Sequence, residues 1–167
     1  MRAGRGLVVA VLAFVTYIVF SGSISLYDIV TGIVVASVTG WIFANITLSN
    51  PRKLLQPKRW ALGIAYTLRY FIVDETKAHV DVIKRILHPR TPVSPAIVMV
   101  PFDVESDYAI TAVANSITNT PGTVIVDVDR EKKVFYVHWI NATTLEPVDA
   151  RESISSVFEK YSKAVFD

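Results

Sequence analysis

Asn115-Ser116-Ile117-Thr118-Asn119-Thr120-Pro121-Gly122-Thr123 decides the fold. Pro121-Gly122 is a turn signal: proline pre-sets φ at the second turn position, and glycine takes a positive φ at the third. Before it, Ser106 to Thr118 reads as a short helix. After it, Val124, Val126 and Val128 alternate with Ile125, Asp127 and Asp129, a strand of period two. Arg130-Glu131-Lys132-Lys133 is a charged connection, and Val134 to Ile140 is a second strand. Helix, tight turn and hairpin form the centre of a small α+β domain.

Outward from this centre, Ala96 to Phe102 is rich in β-formers and predicts a strand. Asn141 to Pro147 is a loop. Val148 to Phe166 reads as one helix, with Ala150, Ile154, Val157, Phe158, Tyr161 and Val165 on a shared face. The order β-α-β-β-α is compatible with a split, ferredoxin-like layer that lacks one strand or receives it from elsewhere. His88 to Pro95 carries three prolines and predicts a linker.

Upstream, the composition changes. The chain is 51% hydrophobic with a mean hydropathy of +0.40, too apolar for an ordinary soluble domain. The excess is local: between Arg5 and Arg52 the only ionisable side chain of the Asp, Glu, Lys, Arg and His set is Asp28. A spanning helix needs about 20 apolar residues. Leu7 to Phe20, extendable to about Leu26, and Leu26 to Leu48 therefore predict two spans joined tightly. A cleaved leader would suit Arg2, Arg5 and the first run. But Ser21-Gly22-Ser23 leads straight into another apolar run, so the first segment is expected to remain as an anchor. Asn50-Pro51 ends the second.

Trp60 to Val73 is apolar apart from Thr67 and Arg69, but too short to span comfortably, and the following turns carry Asp74, Glu75, Lys77, Asp81, Lys84 and Arg85. Leu68, Ile72, Val80, Ile83 and Leu87 fall near one face. This predicts a long amphipathic helix in the membrane interface, with Trp60, Tyr66, Tyr70 and Phe71 at headgroup depth. A third span is the competitor; it would put the C-terminal domain outside, against the charges. Residues 1–90 hold 11 Lys/Arg against 4 Asp/Glu, whereas residues 91–167 hold 6 against 11. Arg2, Arg5, Arg52, Lys53, Lys58 and Arg59 flank the hairpin, and its connector has no basic residue. The positive-inside rule then places both termini and the C-terminal domain in the cytoplasm. The expected architecture is an α+β membrane protein: a transmembrane helical hairpin over 1–50, an amphipathic interfacial helix and linker over 51–95, and a small cytoplasmic β-α-β-β-α domain over 96–167. Its expected location is the cell membrane, multi-pass.

The chemistry is sparse. The chain has no cysteine, which removes disulfides, iron–sulfur ligation and thiolate metal sites from it. His79, His88 and His138 lie far apart with no metal-ligand spacing. No phosphate loop surrounds Pro121-Gly122, which lacks the further glycines and the lysine. No basic patch interleaved with aromatics marks a nucleic-acid surface. Ser116, His138 and Asp127 could be drawn as a triad, but nothing orders them as nucleophile, base and orienter. Asp127 and Asp129 share a strand face, as solvated carboxylates commonly do. Thr118, Thr120 and Thr123 most simply satisfy backbone groups around the turn. No catalytic, cofactor or metal residue is expected.

Three sets remain. Ser25 and Asp28 resemble a capping box at the start of the second span, so this one intramembrane carboxylate needs no proton-relay role. Gly32, Ala36 and Gly40 recur every fourth residue and let two helix backbones approach closely. Tyr136, His138 and Ile140 face away from the helices if Phe135, Val137 and Trp139 face them, and contact-type residues on an open sheet face suit a partner.

Ala114 to Thr123, then Val126-Asp127-Val128-Asp129, then Tyr136-Val137-His138-Trp139 resemble the signature of the E-type subunits of the Mrp-type multisubunit Na⁺/H⁺ antiporters. That family typically carries Ala-Asn-Ser-Ile-Thr-Leu-Thr-Pro-Gly-Thr, so Asn119 departs from an apolar position. Lys77-Ala78-His79-Val80-Asp81-Val82 resembles the family's Lys-Ala-Asn-x-Asp-Val, with His79 in place of Asn. The resemblance covers nearly the whole chain. It implies an accessory membrane subunit of a monovalent cation/proton antiporter, with other integral membrane subunits and the bilayer as partners and no cofactor of its own. The same module occurs in archaeal membrane-bound hydrogenase-type complexes that oxidise ferredoxin, so membership of a redox enzyme complex stays open. A free-standing membrane-tethered regulatory domain is the third reading; the sequence shows no convergent polar set for it.

Overall fold

The structure, a computed structural model, describes residues 2–47 and 50–167. The chain divides into two compact units between Gln56 and Pro57. The first is a helical hairpin of α1 (Arg2–Ser21) and α2 (Leu26–Thr47), followed by a single 3₁₀ turn at Pro51–Leu55. Helix α1 stops at Ser21, short of Leu26. Gly22 takes φ +64° and its N–H reaches back to the Ile18 carbonyl at 3.2 Å, which closes the helix as a left-handed cap does. Leu48, where the apolar run ends, lies outside the described residues. Gly4–Ser21 and Leu26–Ala44 are each long and apolar enough to cross a membrane, and most of their surface is unburied. What they bury is a narrow stripe against each other: Val9, Ala36 and Ala44 are all under 7% exposed.

The second unit opens with one continuous helical rod: α3 (Pro57–Arg69), a wide π-helical turn (Tyr70–Asp74) and α4 (Glu75–Leu87). The domain proper follows as β1 (Ala96–Pro101), α5 (Asp107–Asn119), β2 (Thr123–Asp129), β3 (Val134–Trp139), α6 (Pro147–Ile154) and α7 (Ser156–Phe166). The sheet runs β1-β3-β2, all antiparallel. Helices α5, α6 and α7 cover one face, and the core between them is Val98, Val100, Ile117, Phe135, Val137 and Phe158. Ser106 caps α5, its hydroxyl accepting from the Ala109 N–H at 3.2 Å.

Three expectations change. The last helix is two helices, broken at Ser155 (φ −122°, ψ −19°). Ser155 is buried and donates to the Glu159 carboxylate at 2.7 Å. The break rotates α7 so that Phe158, Glu159 and Ser162 point inward, while Val157, Tyr161 and Val165 are only half-buried. Second, strand β2 carries a bulge between Ile125 and Asp127. A bulge inserts one residue and resets the alternation beyond it. Val124 and Val126 therefore lie exposed on the open face, while Val128 joins Ile125 against the core. Third, the aromatic set of the long helix splits. Trp60 and Phe71 are exposed, but Tyr66 and Tyr70 turn onto the domain core.

Candidate functional site

Two of the quoted stretches, Lys77 to Val82 on the long helix and Ala114 to Thr123, meet where that helix crosses the Pro121-Gly122 turn, and Trp139 at the end of β3 joins them. The turn itself is built locally. Gly122 takes φ +98°, and the Thr123 N–H closes onto the Thr120 carbonyl at 3.3 Å. Helix α5 ends just before it with carbonyls lacking helical partners. Thr120 donates to the Ser116 carbonyl at 2.7 Å, and Thr123 to that of Ile117 at 2.7 Å. Thr118 accepts the Ile125 N–H at 3.3 Å, tying the helix to β2.

The long helix is latched onto this turn by two phenols. Ser116 donates to the Ala112 carbonyl at 2.8 Å, so its oxygen accepts from the Tyr66 hydroxyl. Tyr66 also stacks on Tyr161, ring centroids 5.4 Å apart. Tyr70 donates to Glu75 at 2.5 Å, and its oxygen lies 3.5 Å from the Thr120 hydroxyl, which itself donates to the Ser116 carbonyl. Burial, then the bond to Glu75, pushes the Tyr70 phenol up to about 12; burial also raises Tyr66. Both stay protonated donors through the physiological range.

The wide turn at Tyr70–Asp74 explains why one helix follows the domain for so long. Every fourth residue of an α-helix drifts by about 40°. Yet Tyr66, Tyr70, Asp74, Ala78 and Val82 are all half-buried toward the domain. The extra residue of the π-turn takes that drift back. It also brings Asp74 to Arg69, 3.4 Å apart. Past the turn, a side chain at Gly122 would come within 3.2 Å of Ile140 and 3.7 Å of Val82, so glycine lets α4 and the β3 end close over it.

Between them lies a cleft of about 320 Å³, lined by Asp74, Lys77, Asp81, Gly122, Trp139 and Asn141 among others. It gathers polar groups from four segments, a convergence that the linear sequence does not display. Ile140 belongs here, beyond the end of β3. Tyr136 and His138 instead sit half-buried on the open sheet face, beside the exposed Ile97, Met99, Val124 and Val126. Asp127 pairs with Tyr136 in register, on that same face. Ser116 is buried on α5, behind the sheet, so Ser116, His138 and Asp127 do not form a triad. Among the described residues no cluster of three His, Asp or Glu side chains could hold a metal. Asn119 and His79, the departures from the signature, are both exposed. His79 bonds the Glu75 carbonyl at 2.9 Å, so neither position disturbs the packing.

In the hairpin, Ser25 accepts the Asp28 N–H at 3.2 Å, and the Ser23 and Ser25 hydroxyls both donate to the Asp28 carboxylate at 2.5 Å. Gly32, Ala36 and Gly40 face α1. A Cβ at Gly32 would meet the Tyr17 and Phe14 rings, and one at Gly40 would lie 2.5 Å from the Gly6 carbonyl oxygen.

The family model described as Na⁺/H⁺ ion antiporter subunit (MNHE) matches residues 10–165. The E1 subunit of the Na⁺/H⁺ antiporter of Staphylococcus haemolyticus (strain JCSC1435) is 30% identical over 155 residues, covering 93% of this chain and 92% of that protein. The E-type subunit of the Bacillus subtilis (strain 168) Na⁺/H⁺ antiporter is 28% identical over 131 residues, 77% of this chain and 80% of that one. Among solved structures, a chain of the membrane-bound sulfane sulfur reductase (MBS), an archaeal respiratory membrane complex, superposes with a TM-score of 0.81 at 30% identity, covering 98% of this chain and 99% of its own. With nearly its whole length matched by the family model, this chain belongs to the MNHE family of Na⁺/H⁺ ion antiporter subunits.

Proposed function

We propose that this chain is an accessory membrane subunit of a multisubunit, Mrp-type monovalent cation/proton antiporter, acting through assembly rather than through chemistry of its own. The observation that carries this is the membership over residues 10–165, joined to a structure in which Tyr66, Ser116 and Gly122 help latch the long helix onto the domain. The hairpin crosses the membrane twice, with both termini and the C-terminal domain cytoplasmic. The long helix lies on the cytoplasmic surface. Supporting this are the basic flanks, the connector that lacks them, and the exposed apolar stripe of Ile64, Leu68, Ile72 and Ile83 opposite the domain-facing tyrosines. Ser25 and Asp28 serve as a cap, and Tyr136, His138 and Ile140 as partner surfaces.

A second reading has its own support. The superposition on a chain of an archaeal respiratory membrane complex covers both chains almost end to end. The same module would then serve a hydrogenase-type or related complex, whose redox centres lie on other subunits.

Affinity purification of the full chain from its native membranes, with mass spectrometry of what accompanies it, tests both. Hydrophobic antiporter subunits alone favour the first, and added cysteine-rich redox subunits favour the second. A chain that purifies alone and monodisperse would overturn both. Tyr136→Ala with His138→Ala is expected to lower the yield of complex several-fold while activity per assembled complex stays near normal.

Orientation has a separate test, eased by the absence of native cysteine. With an impermeant thiol reagent outside intact cells, Gly22→Cys is expected to label and Lys132→Cys to stay unlabelled. Labelling at Lys132 from outside would restore three spans.

A further inference from the structure

We propose that the exposed face of the π-turn and α4 is a docking groove for an anionic phospholipid, with Lys77 and Lys84 holding the headgroup. The inference rests on the reading of this helix as a surface helix of the bilayer and adds the lipid class that it selects. The groove, about 410 Å³, is lined by Ile72, Val73, Thr76, Lys77, Val80 and Lys84, together with Asp81. Its floor is apolar and aliphatic. Ile72, Val80 and Ile83 continue it along the helix and stand 43–65% exposed, with no protein covering them among the described residues.

The charges around the groove select the occupant. Asp81 is held by the Arg85 guanidinium through two bonds of 2.8 and 3.0 Å. Asp74 is turned to Arg69, and Glu75 is engaged by Tyr70 and by His79 at 3.1 Å. The nearby carboxylates are therefore occupied. Lys77 and Lys84 have no carboxylate partner among the described residues, and they lie two helical turns apart on one side of the rod. Two unneutralised ammonium groups rim an aliphatic floor on one edge. Lysine stems can lie along such a floor while the charged heads reach the headgroup layer. A neutral protein helix would complement the floor but leave both ammonium groups unanswered. An anionic lipid answers both, with its acyl chain along Ile72 and Val80.

The test uses the full chain reconstituted in phosphatidylcholine bilayers with and without phosphatidylglycerol. A nitroxide on Ile83→Cys reports oxygen access, which marks lipid, against access of a water-soluble nickel complex. Shielding from nickel is expected in both bilayers and to deepen with phosphatidylglycerol. The docked-to-undocked ratio should rise about fivefold for each lysine engaged. Lys77→Gln with Lys84→Gln should abolish the response to phosphatidylglycerol, and Lys77→Arg with Lys84→Arg should keep it. Shielding that ignores phosphatidylglycerol, or a response that survives the glutamines, would overturn this inference alone. Nickel access at Ile83 in both bilayers would overturn the surface reading and the inference with it. Shielding from oxygen and nickel together in the assembled complex would place a protein partner on this face and overturn the lipid assignment.

Discussion

Replacing Gly40 with alanine is expected to separate α1 from α2, although it adds a single methyl group. That methyl would lie 2.5 Å from the Gly6 carbonyl oxygen, 2.8 Å from the Ala10 Cβ and 3.1 Å from the Ala10 nitrogen. Two of these three are backbone atoms, which cannot rotate away, so one helix must shift. In lipid there is no hydrophobic drive to hold the pair together, and close packing supplies most of what does. Overpacking of this kind costs about 1–3 kcal/mol, or roughly five- to 150-fold in the paired-to-separated ratio. Gly32→Ala should be milder, because its closest contacts are the Tyr17 and Phe14 rings, which can turn. Gly4→Ala should be silent, with nothing within 4 Å. Nitroxides on cysteines at Leu7 and Phe43, both exposed, give the interhelical distance in the reconstituted chain. The expected order of broadening is Gly40 first, then Gly32, then Gly4. A Gly40→Ala chain with the parental distance distribution and the parental yield of complex would show that the stripe does not hold the hairpin together.

The second large effect is expected at Glu159, whose side chain is 5% exposed. Its carboxylate accepts from Arg151 at 2.8 and 3.1 Å, from the Ser155 hydroxyl at 2.7 Å and from the Asp103 N–H at 3.0 Å. One buried anion thus joins the end of β1, the break between α6 and α7, and α7 itself. Truncation to alanine leaves a buried hydroxyl and a backbone N–H without their acceptor. Removing one member of a buried, hydrogen-bonded ion pair costs about 3–5 kcal/mol. The lower end applies here, because the Arg151 side chain is 38% exposed and can turn to water. About 3 kcal/mol in a domain of this size lowers Tm by roughly 10–20 °C. Glu159→Gln keeps an acceptor oxygen and should lose about half as much. Lys163→Ala removes an exposed partner of Asp103, and because a solvent-exposed ion pair is screened it should leave Tm nearly unchanged. Circular dichroism melting of the full chain in detergent measures all three. A Glu159→Ala melt that overlays the parent would show that the network is incidental.

Both effects sit where separate elements pack together, and this is also where sequence and structure part. Local signals carried far. The charge-free runs before Arg52 mark the two apolar helices, because polar groups are costly in lipid and their absence persists over enough residues to be read. Pro121-Gly122 marks the turn, since only glycine takes φ +98° there without strain. The short alternating runs mark the strands and their order along the chain; the β1-β3-β2 pairing is read from the structure alone. Ser25 with Asp28 can be proposed as a cap from sequence because a cap and the helix it closes lie within a few residues of each other, whereas Ser106 reads there only as the start of α5.

Tertiary structure decided the rest. The Ser155 break is set by a carboxylate that must reach Arg151, Ser155 and Asp103 together, and Asp103 is distant in sequence. The bulge before Asp127 is invisible in the alternation of valines, because β3 determines which of them face the core. Tyr66 and Tyr70 look like interfacial aromatics until Ser116 and Thr120, on an element some fifty residues later, offer them partners. The cleft beside Gly122 needs four segments to meet, and no single one of them announces it. Periodicity reports which side of an element is apolar; only packing decides which other element, or which outside partner, that side meets.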